Sequence, residues 1–236
     1  MKLIITENAE EMSETAAQYL LGQMLLKPNA HIAITGGSTP KRMYEIIVPK
    51  VKDKDQFAHI TYYNFDEIPY RKENREGVTI SGLRNLYFNP ANIAEKQIYI
   101  LDQFSYLQQD SYIEQLGGLD LMVLGLGADG HFCGNMPATT AFGDATKKVD
   151  FKLNDKEQIV REFGGVKENV PDYFITMGPR SVMQAKSLLM IAYGKGKAEI
   201  IKKLMAGKVE ECVPSSILML HPNITMIIDK DAASLL

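Results

Sequence analysis

The sequence predicts a doubly wound α/β domain of the Rossmann-like kind: a mostly parallel sheet with helices on both faces. Short strand-like runs alternate with segments of helical period along the whole chain. Leu119 to Leu124 is apolar everywhere except Asp120, as a strand covered on both faces must be. Two strand-like runs empty into glycine-containing turns that open helices, the usual form of a strand-to-helix connection. At 236 residues, 45% hydrophobic and 23% charged, the chain is long enough to bury one sizeable core, and residues 1–236 are expected to form a single domain.

In order, Lys2 to Thr6 predicts a strand, and the stripe Met12, Ala16, Tyr19, Leu20 and Met24 a helix that ends at Lys27-Pro28. His31 to Thr35 is a buried strand, Gly36-Gly-Ser-Thr39 a tight turn, and Pro40 the first residue of a helix bearing Met43, Ile46 and Ile47. His59 to Phe65 forms a strand ending at Asp66-Glu67. The charged stretch Tyr70 to Gly77 is a loop placed as a lid, and Thr79 caps a helix through Phe88, which Asn89-Pro90 stops. Ile98 to Leu101 is a strand, Tyr106 to Leu116 a helix, and Leu119 to Leu124 the central strand. Asn135 to Leu153 is expected to be irregular, while Gln158 to Phe163 and Tyr173 to Met177 read as strands. Ser187 to Tyr193 is a buried strand, Gly194 to Lys197 turns into a helix ending near Gly207, Pro214 opens a short helix, and Ile224 to Ile228 closes the sheet.

A net charge of -3 spread over interspersed acids and bases leaves no footprint for a nucleic-acid backbone. The N-terminal residues lack a secretory apolar core, and no run reaches the roughly 18 apolar residues of a membrane span, so a cytoplasmic location is expected. Cys133 and Cys212 have no metal-ligand spacing, and Cys133 reads as a packed thiol. No metal site and no cofactor are expected.

Four stretches carry chemistry. Gly36, Gly37, Ser38 and Thr39 offer backbone N–H groups and hydroxyls at the positive end of a helix, which suits an anion; an ordinary strand-to-helix turn would use the same glycines. The turn matches neither the P-loop nor the dinucleotide fingerprint. Asp66 and Glu67 stand at a strand end, where one can act as a proton-transfer base and, by alternation along a strand, only one can face the site. Asp129 and His131 lie on a glycine-rich loop after the central strand, where a carboxylate on one ring nitrogen would fix the tautomer of the other. Lys197 near a helix N-terminus is unfavourable against the helix dipole unless an anion binds there.

Together and in this order, Gly36-Gly-Ser-Thr-Pro40, Phe65-Asp-Glu67, Gly125 to His131, Gly196-Lys-Ala198 and Val213 to Pro222 resemble the glucosamine-6-phosphate deaminase and 6-phosphogluconolactonase superfamily over essentially the whole chain. The resemblance implies a small-molecule sugar phosphate as ligand, with Asp66 shuttling a proton between C1 and C2 and Asp129 with His131 opening the ring. Ser38, Thr39, Lys197 and Arg161 would hold the 6-phosphate beside Gly36 and Gly37, and Glu67 would contact substrate. In the lactonase alternative His131 activates water. The chain departs from the pattern at Met136, where the deaminases carry a glutamate after the Asp-Gly-His, at Glu76-Gly-Val-Thr79 in place of His-Pro-x-Ser, and at Ile68, where lactonases have arginine. The implied activity is that of an amino-sugar 6-phosphate isomerase and deaminase. A non-catalytic sugar-phosphate sensor is disfavoured by the retained acids and by a chain expected to start directly on a strand.

Overall fold

The computed structural model describes residues 1–71, 75–151 and 159–236. Lys2–Thr6 (β1) leads to Ala9–Leu26 (α1), whose first turn is capped by Asn8 accepting from the Glu11 N–H at 3.0 Å. Next come His31–Ala33 (β2), Lys41–Val51 (α2), Thr61–Tyr63 (β3), Asp66–Glu67 (β4) and Val78–Leu83 (α3), which runs on into a π turn over Arg84–Phe88. Ile98–Tyr99 (β5), Tyr106–Gln115 (α4), Leu121–Gly125 (β6), Lys147–Asp150 (β7), Tyr173–Thr176 (β8) and Pro179–Val182 (α5) follow. Leu188–Ala192 (β9), Ala198–Met205 (α6) and Ile224–Asp229 (β10) complete the order.

Seven strands make a parallel sheet in the order β1-β10-β9-β6-β2-β3-β5. Alternation along each strand sends side chains to two cores. Leu121, Val123, Leu189 and Ile191 pack with α1 and α2 through Met12, Leu20, Met24, Met43 and Ile47. Met122, Leu124, Leu188 and Met190 pack with α4 and α6 through Ile113, Ile201 and Leu204. Helices therefore cover both faces, and the sheet is doubly wound.

From β2 the chain winds outward through β3 to β5, whereas from β6 it winds the other way to β9. The neighbours β2 and β6 thus flank the topological switch point, where an open α/β sheet leaves a crevice at its carboxyl ends. Among the described residues, no helix is long and apolar enough to cross a membrane.

Several expectations are corrected. The strand predicted from His59 to Phe65 is shorter, and Asp66–Glu67 breaks away to pair with β8. Together β4, β8 and β7 form a separate antiparallel sheet, so Tyr173 to Thr176 does not extend the parallel one. The predicted irregular stretch contains β7, because its edge position buries only Val149 and leaves no apolar run to read. Of the strand predicted at Gln158 to Phe163, Val160–Phe163 is a 3-10 turn, and Gln158 lies outside the described residues. The loop predicted at Tyr70 to Gly77 includes residues 72–74, which also lie outside them. Pro40 is the N-cap of α2 and not its first helical residue. Ile224 to Ile228 lies inside the sheet between β1 and β9, leaving β1 and β5 at its edges.

The break between β3 and β4 is held by Asn64, which is fully buried. Its side-chain amide donates to the Leu101 carbonyl at 2.9 Å and to the Asp66 carbonyl at 3.0 Å, while its Oδ1 accepts the Leu101 N–H at 2.8 Å. Asn64 thus ties the strand end carrying Asp66 to the chain leaving β5. Removing it strands three backbone groups, two of them buried, so Asn64→Ala is expected to lower the unfolding free energy by about 2–4 kcal/mol in urea titration.

Candidate active site

The glycine turn after β2 is anchored from below by Tyr44, whose buried hydroxyl donates to the Thr35 carbonyl at 2.6 Å. Gly37 adopts φ +83°, a left-handed conformation in which a side chain would be strained. Ser38 is exposed and Thr39 half-buried just before α2, so their hydroxyls stand beside the N-terminus of that helix, where the Lys41 N–H is turned onto the Ser38 carbonyl at 3.3 Å. Lys197, half-buried on the turn after β9, lines the same cleft. Burial pushes its ammonium below its ordinary value, and the charge of Asp129 opposes that shift. The turn carrying it is fastened by Asp229 at the end of β10, whose carboxylate accepts the Gly194 N–H at 2.9 Å.

The two acids after β3 part company, as alternation along a strand requires. Asp66 faces the cleft, and burial pushes its carboxyl up to about 6 against a single stabilising bond, from the Thr79 hydroxyl at 3.3 Å. Glu67 turns inward and is 1% exposed. It accepts the Ile68 and Thr79 N–H groups at 2.8 Å and the Ile80 N–H at 3.0 Å. Burial drives Glu67 to about 8; those three donors oppose the shift and the neighbouring Asp66 adds to it. The expected contact of Glu67 with substrate is therefore corrected: its carboxylate lies beneath α3. Thr79 is not the cap of that helix either; Gly77 occupies the N-cap position and Glu67 supplies the acceptors.

After β6 the loop doubles back, with the Gly127 N–H donating to the His131 carbonyl at 2.8 Å. His131 Nδ1 lies 2.6 Å from Asp129 Oδ1, which also accepts the His131 backbone N–H at 3.1 Å. Burial raises the Asp129 carboxyl, but the bonds from His131 outweigh it and hold the group below its ordinary value. An ionised carboxylate only accepts, so Nδ1 carries the proton and Nε2 is left as the basic nitrogen. A Cβ at Gly127 would strike both the imidazole and the Asp129 carboxyl, so this close pairing needs glycine there.

Three adjoining cavities share Asp66 and His131. One, of about 330 Å³, runs to the glycine turn, Gly127 and Lys197. A second, of about 650 Å³, reaches Gly36, Gly37, Ser38 and Thr79. A third, of about 260 Å³, is walled by Ile68, Met136, Phe151, Ile159 and Phe174, on the side away from the glycine turn. Asp66, Asp129, His131, Gly36, Gly37, Ser38, Thr39 and Lys197 are thus gathered at one end of the sheet. Arg161 is not: it is exposed on a 3-10 turn and lines none of these cavities among the described residues, whereas its neighbour Glu162 does. Cys133 lines the cleft beside Asp66, and burial pushes its thiol well above the ordinary value, which suits packing and not nucleophilic attack. Sequence reasoning missed Thr79 as a partner of Asp66, because 13 residues and a loop separate them.

Residues 5–226 match the family model described as glucosamine-6-phosphate isomerases/6-phosphogluconolactonase. The chain is 36% identical to a glucosamine-6-phosphate deaminase of Thermoanaerobacter pseudethanolicus, covering 100% of this chain and 95% of that one. It is 35% identical to the protein of the same name from Alkaliphilus metalliredigens, over the full length of both. Among solved structures, a monomeric glucosamine-6-phosphate deaminase superposes over 100% of both chains with a TM-score of 0.85 and 26% identity. A 6-phosphogluconolactonase from Trypanosoma cruzi shares the fold with a TM-score of 0.74 at 20% identity, over 99% of this chain and 96% of that one. Matched along almost its whole length, the chain belongs to the glucosamine-6-phosphate isomerase and 6-phosphogluconolactonase family.

Proposed function

We propose that this protein is an amino-sugar 6-phosphate isomerase and deaminase, converting glucosamine 6-phosphate or its galacto epimer to a ketohexose 6-phosphate and ammonia. One observation carries the reading: Asp66, a half-buried acid whose proton affinity lies close to neutral, shares a cavity with a tautomer-fixed histidine and an anion cradle. Such a carboxylate is matched to removing a proton from carbon next to a carbonyl or imine. The deaminase relatives, aligned end to end, support the same activity.

The phosphate is held by Ser38, Thr39, the N–H groups at Gly36 and Gly37, and Lys197. That end of the cleft fixes the sugar so that C1 and C2 reach Asp66 and His131. Nε2 of His131 takes the proton from the C1 hydroxyl and passes it to the ring oxygen as the ring opens, while Asp129 steadies the imidazolium that forms between the two transfers. Asp66 then removes the C2 proton and returns it to C1, while O1 gains a proton and the 2-amino group loses one, leaving a C1 alcohol and an imine at C2 that water splits to ketone and ammonia. The lactonase reading would use His131 to activate water and leave Asp66 a binding or supporting acid, a task that does not call for a carboxyl pushed up to about 6.

Incubation with glucosamine 6-phosphate and galactosamine 6-phosphate is expected to release ammonia and ketose phosphate stoichiometrically; hydrolysis of 6-phosphogluconolactone without ammonia release would overturn the assignment. Because the base works deprotonated, kcat/KM is expected to rise with pH through an acid limb near 6. Asp66→Asn is expected to cut kcat by roughly 10²-fold or more. The same substitution is expected to stabilise the fold above neutral pH. The native carboxyl titrates at about 6 against 3.8 in the unfolded chain, so ionisation costs native stability progressively as pH rises through that window. The variant should therefore melt a few degrees higher than the parent at pH 8, with the gap closing below about pH 4 in calorimetry. Lys197→Ala is expected to raise KM roughly 10-fold or more with a smaller change in kcat, as loss of a charged phosphate contact does.

A further inference from the structure

Glu67 has no part in the chemistry above, yet its bonds lead back to Asp66. Both of its carboxylate oxygens are spent on backbone N–H groups, those of Ile68 and Thr79 on Oε1 and that of Ile80 on Oε2. Thr79 and Ile80 are in the first turn of α3, where N–H groups have no partner inside the helix, and the N-cap residue Gly77 makes no side-chain bond to them. An acid from the strand β4 therefore does what an N-cap side chain normally does. A Cβ at Gly77 would collide with the Glu67 carboxyl, so the glycine makes room for the acid. The Val78 N–H closes the same junction on the Ile68 carbonyl at 3.0 Å. Thr79, seated in this way by its N–H, turns its hydroxyl onto Asp66 Oδ1.

We propose that Glu67 is a positioning residue for Asp66: by seating the first turn of α3 it holds the Thr79 hydroxyl on the Asp66 carboxylate and so fixes the direction from which that carboxylate meets the substrate carbon. The inference rests on Asp66 being the base of the proposed reaction. Adjacent residues of β4 then divide the work, one acid on each face of the strand, with Thr79 as the link between them. Position 67 must accept at both oxygens, which a carboxyl does with or without its proton because a protonated oxygen keeps lone pairs. Glutamine can still accept two of the N–H groups on its carbonyl, but its amide nitrogen would oppose the third with a donor.

The test compares Glu67→Gln, Thr79→Val, the double variant and Thr79→Ser on the full chain, with melting followed alongside kinetics. Glu67→Gln and Thr79→Val are each expected to lower kcat about 10-fold or more, with KM for the sugar phosphate within about threefold, because the phosphate cradle stands on other strand ends. The double variant should be no slower than the slower single one, and Thr79→Ser should retain most of the activity. A Glu67→Gln variant that melts earlier but keeps kcat within about twofold would overturn the proposal, as would losses that multiply in the double variant. A carbon-13 NMR titration of the Asp66 carboxyl separates this inference from the reaction assigned above. Thr79→Val should raise its midpoint in the parent, yet make little difference in the Glu67→Gln background. That result in a protein inactive on every amino-sugar phosphate would leave the positioning link standing and remove the deaminase reading. Turnover with equal midpoint shifts in both backgrounds would do the reverse.

Discussion

The parallel pairing of β9, β6, β2 and β3 is the constraint on which the site depends. These four strands are consecutive in the sheet, all point the same way, and each delivers one part of the candidate site at its carboxyl end. Lys197 follows β9, the Asp129 and His131 loop follows β6, the glycine turn follows β2, and Asp66 follows β3. Neighbouring strands lie about 5 Å apart, so four parts spread over some 160 residues of sequence are spaced to suit a ligand of sugar-phosphate size. The loops themselves need little intrinsic order, because hydrogen-bonded ladders place their starting points.

The fold also sorts its acids. Asp66, Glu67 and Asp129 are all aspartate or glutamate near one crevice, but they hold protons differently. Asp129 is kept ionised by its bonds to His131, Asp66 is pushed toward neutrality by burial with one weak donor, and Glu67 is pushed further although three N–H groups oppose it. Acids driven apart in this way can take different tasks at one pH. Burial also makes Asp66 a cost to the fold when it is charged, which is the usual tension between a reactive buried group and a stable protein.

Much of this was legible from the residues alone, and what was not has identifiable physical causes. The alternation of strands and helices, the two glycine loops and the opposite facing of Asp66 and Glu67 follow from period and backbone geometry. The small antiparallel sheet escaped notice because β7 is an edge strand reading Lys-Lys-Val-Asp, with only Val149 buried, and β4 is two residues long. The destination of Glu67 escaped because its donors include residues 12 and 13 positions later, beyond any local pattern. Arg161 comes from the family resemblance and not from any pattern in its own neighbourhood, and the structure leaves it exposed on its turn.

The small antiparallel sheet has a consequence for how such an enzyme can diversify. Ile68 and Phe151 directly follow β4 and β7, and Phe174 is on β8, so this sheet supplies much of the apolar wall beside Asp66 and His131. The glycine turn, Lys197 and the Asp129-His131 pair stand on the larger sheet, and the two sheets are joined by the Gly134 N–H on the Thr176 hydroxyl, the Asn135 amide on the Met177 carbonyl and the Met177 N–H on the Phe65 carbonyl, with Ile175 of β8 in the core shared with β6 and β9. Substitutions in the wall can therefore recontour the chamber beside Asp66 without touching the glycine turn, Lys197 or the Asp129-His131 pair.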